Sequence, residues 1–153
     1  MCRTMNIDYS KVEKKYKEFL IYAMRGADSF SVVTRISCKQ NNKKYEYEHD
    51  QILNGIIDLL IERTINARSW PGTKTNEKGL VLNMYRTSKR ASELFCNAPN
   101  LFVWENEMPE DICFYKNGKP WIVTVTHERI VFMIEPTFEE IKSLEKMEIG
   151  CDY

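Results

Sequence analysis

Residues 112–135 constrain the fold more tightly than any other part of the chain. Ile112-Cys113-Phe114-Tyr115-Lys116 runs into Asn117-Gly118. That pair suits a two-residue hairpin turn in which both positions take positive φ. The chain then resumes as β-rich over 121–126, with Trp121, Val123 and Val125 on one face. His127-Glu128-Arg129 makes a break, and 130–134 forms a third apolar run. The pattern predicts a three-stranded antiparallel meander. Pro136 stops it, and Thr137 with Glu140 offers a capping box for a last helix over 138–147, striped by Ile141 and Leu144.

Upstream, Val12, Tyr16, Phe19, Leu20 and Ala23 recur at helical spacing and predict a helix over 9–27. Ser10 with Glu13 reads as its capping box, and Gly26 as its stop. Residues 29–36 read as a strand, and the polar run 39–44 as the loop of a hairpin returning through Tyr45 and Tyr47. The apolar run from Ile52 to Ile61 predicts a central core helix over 50–67, closed by Arg63 and Arg68. Trp70-Pro71-Gly72-Thr73 reads as a type II turn, with proline presetting φ and glycine taking positive φ. Residues 80–86 predict a strand, 88–96 a short helix, and 101–104 a short strand or docked loop.

These elements form one α+β domain spanning 1–153: an antiparallel sheet, including the carboxyl-terminal meander, with helices packed mainly on one face. A 43% hydrophobic content is too high for a disordered chain. The amino terminus lacks the apolar core of a signal peptide, and no apolar run approaches a membrane span. The expectation is a soluble, cytoplasmic protein that does not engage a membrane. Five scattered cysteines form neither a disulfide framework nor a zinc motif and read as reduced thiols.

Lys and Arg number 22, as do Asp and Glu, so the net charge is zero. That balance argues against a nucleic-acid partner. It conceals an asymmetry: residues 1–78 carry 14 basic and 10 acidic side chains, and residues 79–153 carry 8 and 12. Glu105, Glu107, Glu110 and Asp111 concentrate the acidic excess. Pro109-Glu110-Asp111 reads as an exposed acidic corner able to meet a basic partner.

No nucleophile elbow, phosphate cradle or metal-ligand spacing is present, so neither a metal nor another cofactor is expected. The candidate catalytic residues are His127, Glu128 and Arg86. A histidine beside a carboxylate can move protons at neutral pH, and an arginine can hold a carboxylate. His127 and Glu128 act together only if their turn reorients them, because neighbours on a strand face opposite ways. The candidate binding residues are Trp70, Arg86, Trp104, Glu105, Glu110, Asp111 and His127. Tryptophans in loops are more frequent at interfaces than small or charged residues are.

Taken in order, Trp70-Pro71-Gly72-Thr73, Tyr85-Arg86, Leu101-Phe102-x-Trp104, Pro109-Glu110-Asp111-Ile112, Gly118-x-x-Trp121-Ile122 and His127-Glu128 resemble a family of small bacterial proteins of unassigned function. Some members of that family carry a sporulation-stage label. The resemblance covers residues 70 to about 135, and Met108 stands where relatives tend to have leucine. It implies a bacterial source and supplies no activity. The reading that follows is a protein-binding protein of the immunity or regulatory type. The alternative is an enzyme with an acid/base site centred on His127.

Overall fold

The computed structural model describes residues 2–38, 45–47, 50–103 and 108–152. Among these residues the centre is a nine-stranded sheet. The strands are β1 (Thr4–Ile7), β2 (Ser29–Cys38), β3 (Tyr45–Tyr47), β4 (Leu60–Ile65), β7 (Leu80–Arg86), β8 (Glu110–Lys116), β9 (Lys119–Val125), β10 (Ile130–Ile134) and β11 (Cys151–Asp152). They lie in the order β11-β1-β10-β9-β8-β2-β7-β4, with β3 on β2. Every pairing within the sheet is antiparallel. A separate two-stranded ribbon joins β5 (Ser69–Trp70) to β6 (Thr73–Lys74). The α+β class with a carboxyl-terminal meander is therefore what the chain adopts.

The meander follows its local chemistry. Asn117 and Gly118 sit at φ 52° and 75°, the mirror-image turn their side chains permit. β10 then pairs with β9 from Ile130 opposite Val125 to Met133 opposite Ile122. The last helix, α5 (Phe138–Lys146), carries the full capping box: Thr137 accepts from the Glu140 amide, and the Glu140 side chain accepts from the Thr137 amide.

The helices α1 (Tyr9–Lys14), α2 (Tyr16–Gly26) and α4 (Lys89–Cys96) share one core with α5 and with sheet residues including Phe30, Val32, Tyr85, Phe114 and Ile122. Two small clusters lie on the alternate strand positions. One holds Val33, Ala67, Trp70 and Leu80; the other holds Cys113, Tyr115 and Val123. The helices thus cover one face of the sheet, and the β5–β6 ribbon lies on the other. Among the described residues, no helix is long and apolar enough to cross a membrane.

Several expectations need correction. The predicted core helix over 50–67 is a four-residue helix, α3 (Asp50–Leu53), a 3₁₀ segment (Asn54–Leu59) and the edge strand β4. Asn54-Gly55 weakens a helix at its middle, and β-branched Ile61, Thr64 and Ile65 favour a strand. Nor is the run a core element throughout: Ile57, Ile61 and Ile65 are 49%, 52% and 52% exposed. The helix over 9–27 divides at Lys15, and its cap is Asp8 rather than Ser10. Asp8 Oδ1 accepts from the Ser10 amide at 3.0 Å and from the Ser10 hydroxyl at 2.7 Å. The hydrogen bond from Ser10 holds the Asp8 carboxyl below its ordinary range. Strands β1 and β11 were not expected at all. β3 pairs with β2 as the predicted hairpin requires, while its loop over 39–44 lies outside the described residues.

Gly72 in the ribbon turn has φ 87°, and a Cβ there would stand 2.9 Å from Val123 and 3.0 Å from Val125. Gly79 has nearly the same φ, 83°, but open space around it. Gly79→Ala is expected to cost about 1–2 kcal/mol for its backbone alone. Gly72→Ala should cost a further ~1–3 kcal/mol because the ribbon must lift off the sheet. Urea unfolding of the two variants measures the difference, and equal losses would contradict the close seating of the ribbon.

Candidate functional site

Trp70 closes β5 and is buried in one apolar cluster with Val33, Ala67 and Leu80 on the open face of the sheet. Its indole Nε1–H donates to Asp111 Oδ2 at 3.0 Å. The other carboxylate oxygen, Oδ1, accepts from the Thr126 amide at 2.8 Å. In return the Asp111 amide donates to the Thr126 hydroxyl at 2.9 Å. Asp111 and Thr126 are each only 3% exposed. This cluster ties the ribbon, the start of β8 and the end of β9 together where the β8–β9 ladder has ended at Cys113 opposite Val123.

The local backbone makes the arrangement possible. The β2–β8 register shifts between Ser31 opposite Cys113 and Val33 opposite Glu110. Asp111 sits in that irregularity at φ 53°, a left-handed conformation aspartate tolerates better than most residues. The shift aims two neighbouring carboxylates at different tasks. Asp111 is buried under Trp70, whereas Glu110 meets Arg35 at 3.6 Å. The guanidinium of Arg35 also pairs with Glu77. Pro109-Glu110-Asp111 is thus not the exposed corner expected from sequence, because one acid is internal and the other is paired.

These groups border a groove of about 410 Å³, whose walls include Trp70, Gly72, Lys74, Glu77, Glu110 and Asp111. Arg35, Thr73, Thr75, His127 and Glu128 complete its polar lining. His127 and Glu128 lie on a one-turn 3₁₀ segment, Thr126–Glu128, closed by Arg129 at φ 54°. That turn supplies the reorientation strand geometry would deny, and both side chains reach the groove. His127 Nε2 stands 3.8 Å from Glu128 Oε1. Burial pushes the Glu110 carboxyl up; Arg35 opposes that, and the Asp111 charge adds to it.

Of the sequence candidates, Trp70, Glu110, Asp111, His127 and Glu128 converge on this groove. Arg86 does not: it sits at the other end of β7, opposite Ser29, and its charge acts on Asp58. Trp104 and Glu105 lie outside the described residues. Sequence reasoning missed Arg35, Thr73, Thr75, Lys74 and Glu77. Thr73 was visible as the last member of the turn motif, but nothing local marked Arg35. Among the described residues no cysteine lines the groove, and Cys113 is buried, with its thiol pushed up to about 12 by burial. Among the described residues, no three His, Cys, Asp or Glu side chains gather as a metal site requires. No match to this chain was found among protein-family models, curated proteins or solved structures.

Two measurements probe this geometry. Asp111→Asn replaces an acceptor by a donor that must face the Trp70 or Thr126 N–H, at an expected cost of ~1–3 kcal/mol. Trp70→Phe should cost less in the Asp111→Asn background than in wild type, and a double-mutant cycle in urea reads that coupling. The second measurement concerns Glu110. A carboxyl raised by folding contributes stability that is complete below its unfolded pKa and is lost as pH rises through the folded value. Relative to wild type, Glu110→Gln should therefore gain stability as pH rises above the ordinary glutamate value of 4.5. Urea midpoints for the pair across acid to neutral pH test the sign.

Proposed function

We propose that this chain is a small soluble cytoplasmic bacterial protein that works by binding another protein, as an immunity-type or regulatory partner. The groove beside Trp70 is its docking site. The observation that carries this reading is convergence. Residues from three separated stretches, Trp70, Glu110-Asp111 and His127-Glu128, border one groove. Asp111, Thr126 and Trp70 are joined by hydrogen bonds, so the walls are organised before a partner arrives. The rim is charged and exposed: Lys74, Glu77, His127 and Glu128 all face solvent. Four carboxylates against Arg35 and Lys74 favour a basic segment of the partner, with faster association at low salt.

One observation favours the alternative, an acid/base enzyme. His127 shares the groove with Glu128 and with Glu110, whose carboxyl burial pushes up, and a histidine among carboxylates is a set that can move protons. The two readings separate by variant. Affinity capture with wild-type protein, followed by titration of the recovered partner, gives the reference affinity. Glu128→Lys should weaken that affinity by about tenfold or more. His127→Gln should leave it within about twofold. Lys119→Glu, at the exposed first residue of β9 and outside the groove lining, is the control and should change nothing. A partner whose affinity ignores Glu128→Lys would remove the binding role of the groove. A chemical activity abolished by His127→Gln would instead establish the enzyme.

A further inference from the structure

A second cleft lies on the helix-covered side of the sheet, between the last turn of α2 and the first turn of α4. It measures about 420 Å³. Its floor is apolar, formed by Ile21, Met24 and Ala27, and its rim carries Arg25, Lys89 and Ser92. The floor is fixed: the Thr87 hydroxyl donates to the Ala27 carbonyl at 2.8 Å, and the Thr87 amide donates to the Asp28 carbonyl at 3.1 Å. Ligand sites of this size typically join a mostly apolar surface to a few placed polar groups.

The charges at the rim select the ligand. Arg25 and Lys89 are exposed cations on facing helices. Within the cleft they are opposed by the single carboxylate of Glu93, which stands 3.9 Å from Lys89. The first turn of α4 holds Lys89 and Arg90 and no acidic residue, although cations there oppose the helix dipole. Arg90 is compensated by Asp58. Among the described residues Lys89 is compensated by its loose contact with Glu93, so an anion beside it would relieve a local mismatch at the start of α4.

We propose that the α2–α4 cleft binds a small amphipathic carboxylate, its apolar chain on Ile21, Met24 and Ala27 and its carboxylate between Arg25 and Lys89. The site is independent of the groove beside Trp70, so its fate and that of the docking reading are separable.

The test is titration of isotopically labelled full-length protein, followed by amide NMR shifts. The probes are octanoate, octanol and octylammonium, which share a chain and differ in head-group charge. Octanoate should produce saturable shifts centred on Met24, Ala27, Thr87 and Ser92. Octanol should bind more weakly, and octylammonium not at all. Arg25→Glu with Lys89→Glu should weaken octanoate by about tenfold while the rest of the spectrum is kept, since both side chains are exposed. Ser92→Leu, which fills the cleft without touching a charge, should abolish the shifts. Absence of saturable octanoate shifts at these residues overturns the proposal, as does an equal response to octylammonium or an unchanged affinity in the double charge reversal.

Discussion

The buried carboxylate of Asp111 is the constraint on which the open face of the sheet depends. An ionised group taken out of water is costly unless hydrogen bonds replace its hydration. Here the Trp70 indole and the Thr126 amide supply them, one to each oxygen. The β5–β6 ribbon has only two residues per strand, too few to persist through its own ladder. It is held by the burial of Trp70 in a cluster with Val33, Ala67 and Leu80, by the indole hydrogen bond, and by Gly72 seated on β9. Removing the carboxylate would therefore release the ribbon and, with it, one wall of the groove.

The same corner distributes charge. Glu110 and Asp111 are neighbours in sequence with opposed environments. One is fixed by neutral donors, and the other is half-buried beside a guanidinium. The neutral total of the chain takes on a spatial meaning here. The basic amino-terminal half supplies Arg35, Lys74 and one acid, Glu77, and the acidic carboxyl-terminal half supplies Glu110, Asp111 and Glu128. The two halves meet across the groove and partly compensate each other there. Among the described residues the lining keeps an acidic excess, four carboxylates against Arg35 and Lys74.

What could be read from sequence was whatever local chemistry decides. Asn117-Gly118 and the Thr137–Glu140 box act within four residues of chain, and both are present as expected. The run from Ile52 to Ile65 could not be read that way. Leucine and isoleucine in near-continuous sequence satisfy a helical and an extended period alike, and the choice was made by pairing with β7. β1 was invisible for a related reason: Thr4 pairs with Ile134, and no local signal announces so distant a partner. The groove divides along the same line. Its motif residues stand out by type, while Arg35 enters it only through the tertiary register.

That register also decides between two arginines. β2 and β7 run antiparallel, with Arg35 opposite Leu80 and Ser29 opposite Arg86. Residues six apart along a strand are separated by about 20 Å, at roughly 3.3 Å per residue. Arg35 and Arg86 therefore occupy opposite ends of the same strand pair, and both cannot serve one site. Arg35 lies at the end where the β2–β8 irregularity presents Glu110 and where the ribbon lies over the sheet. Arg86 lies at the end where α4 begins, near Asp58. The arginine that sequence order places within the motif is thus held away from the groove by the ladder itself. The one that works there comes from a strand outside the motif altogether.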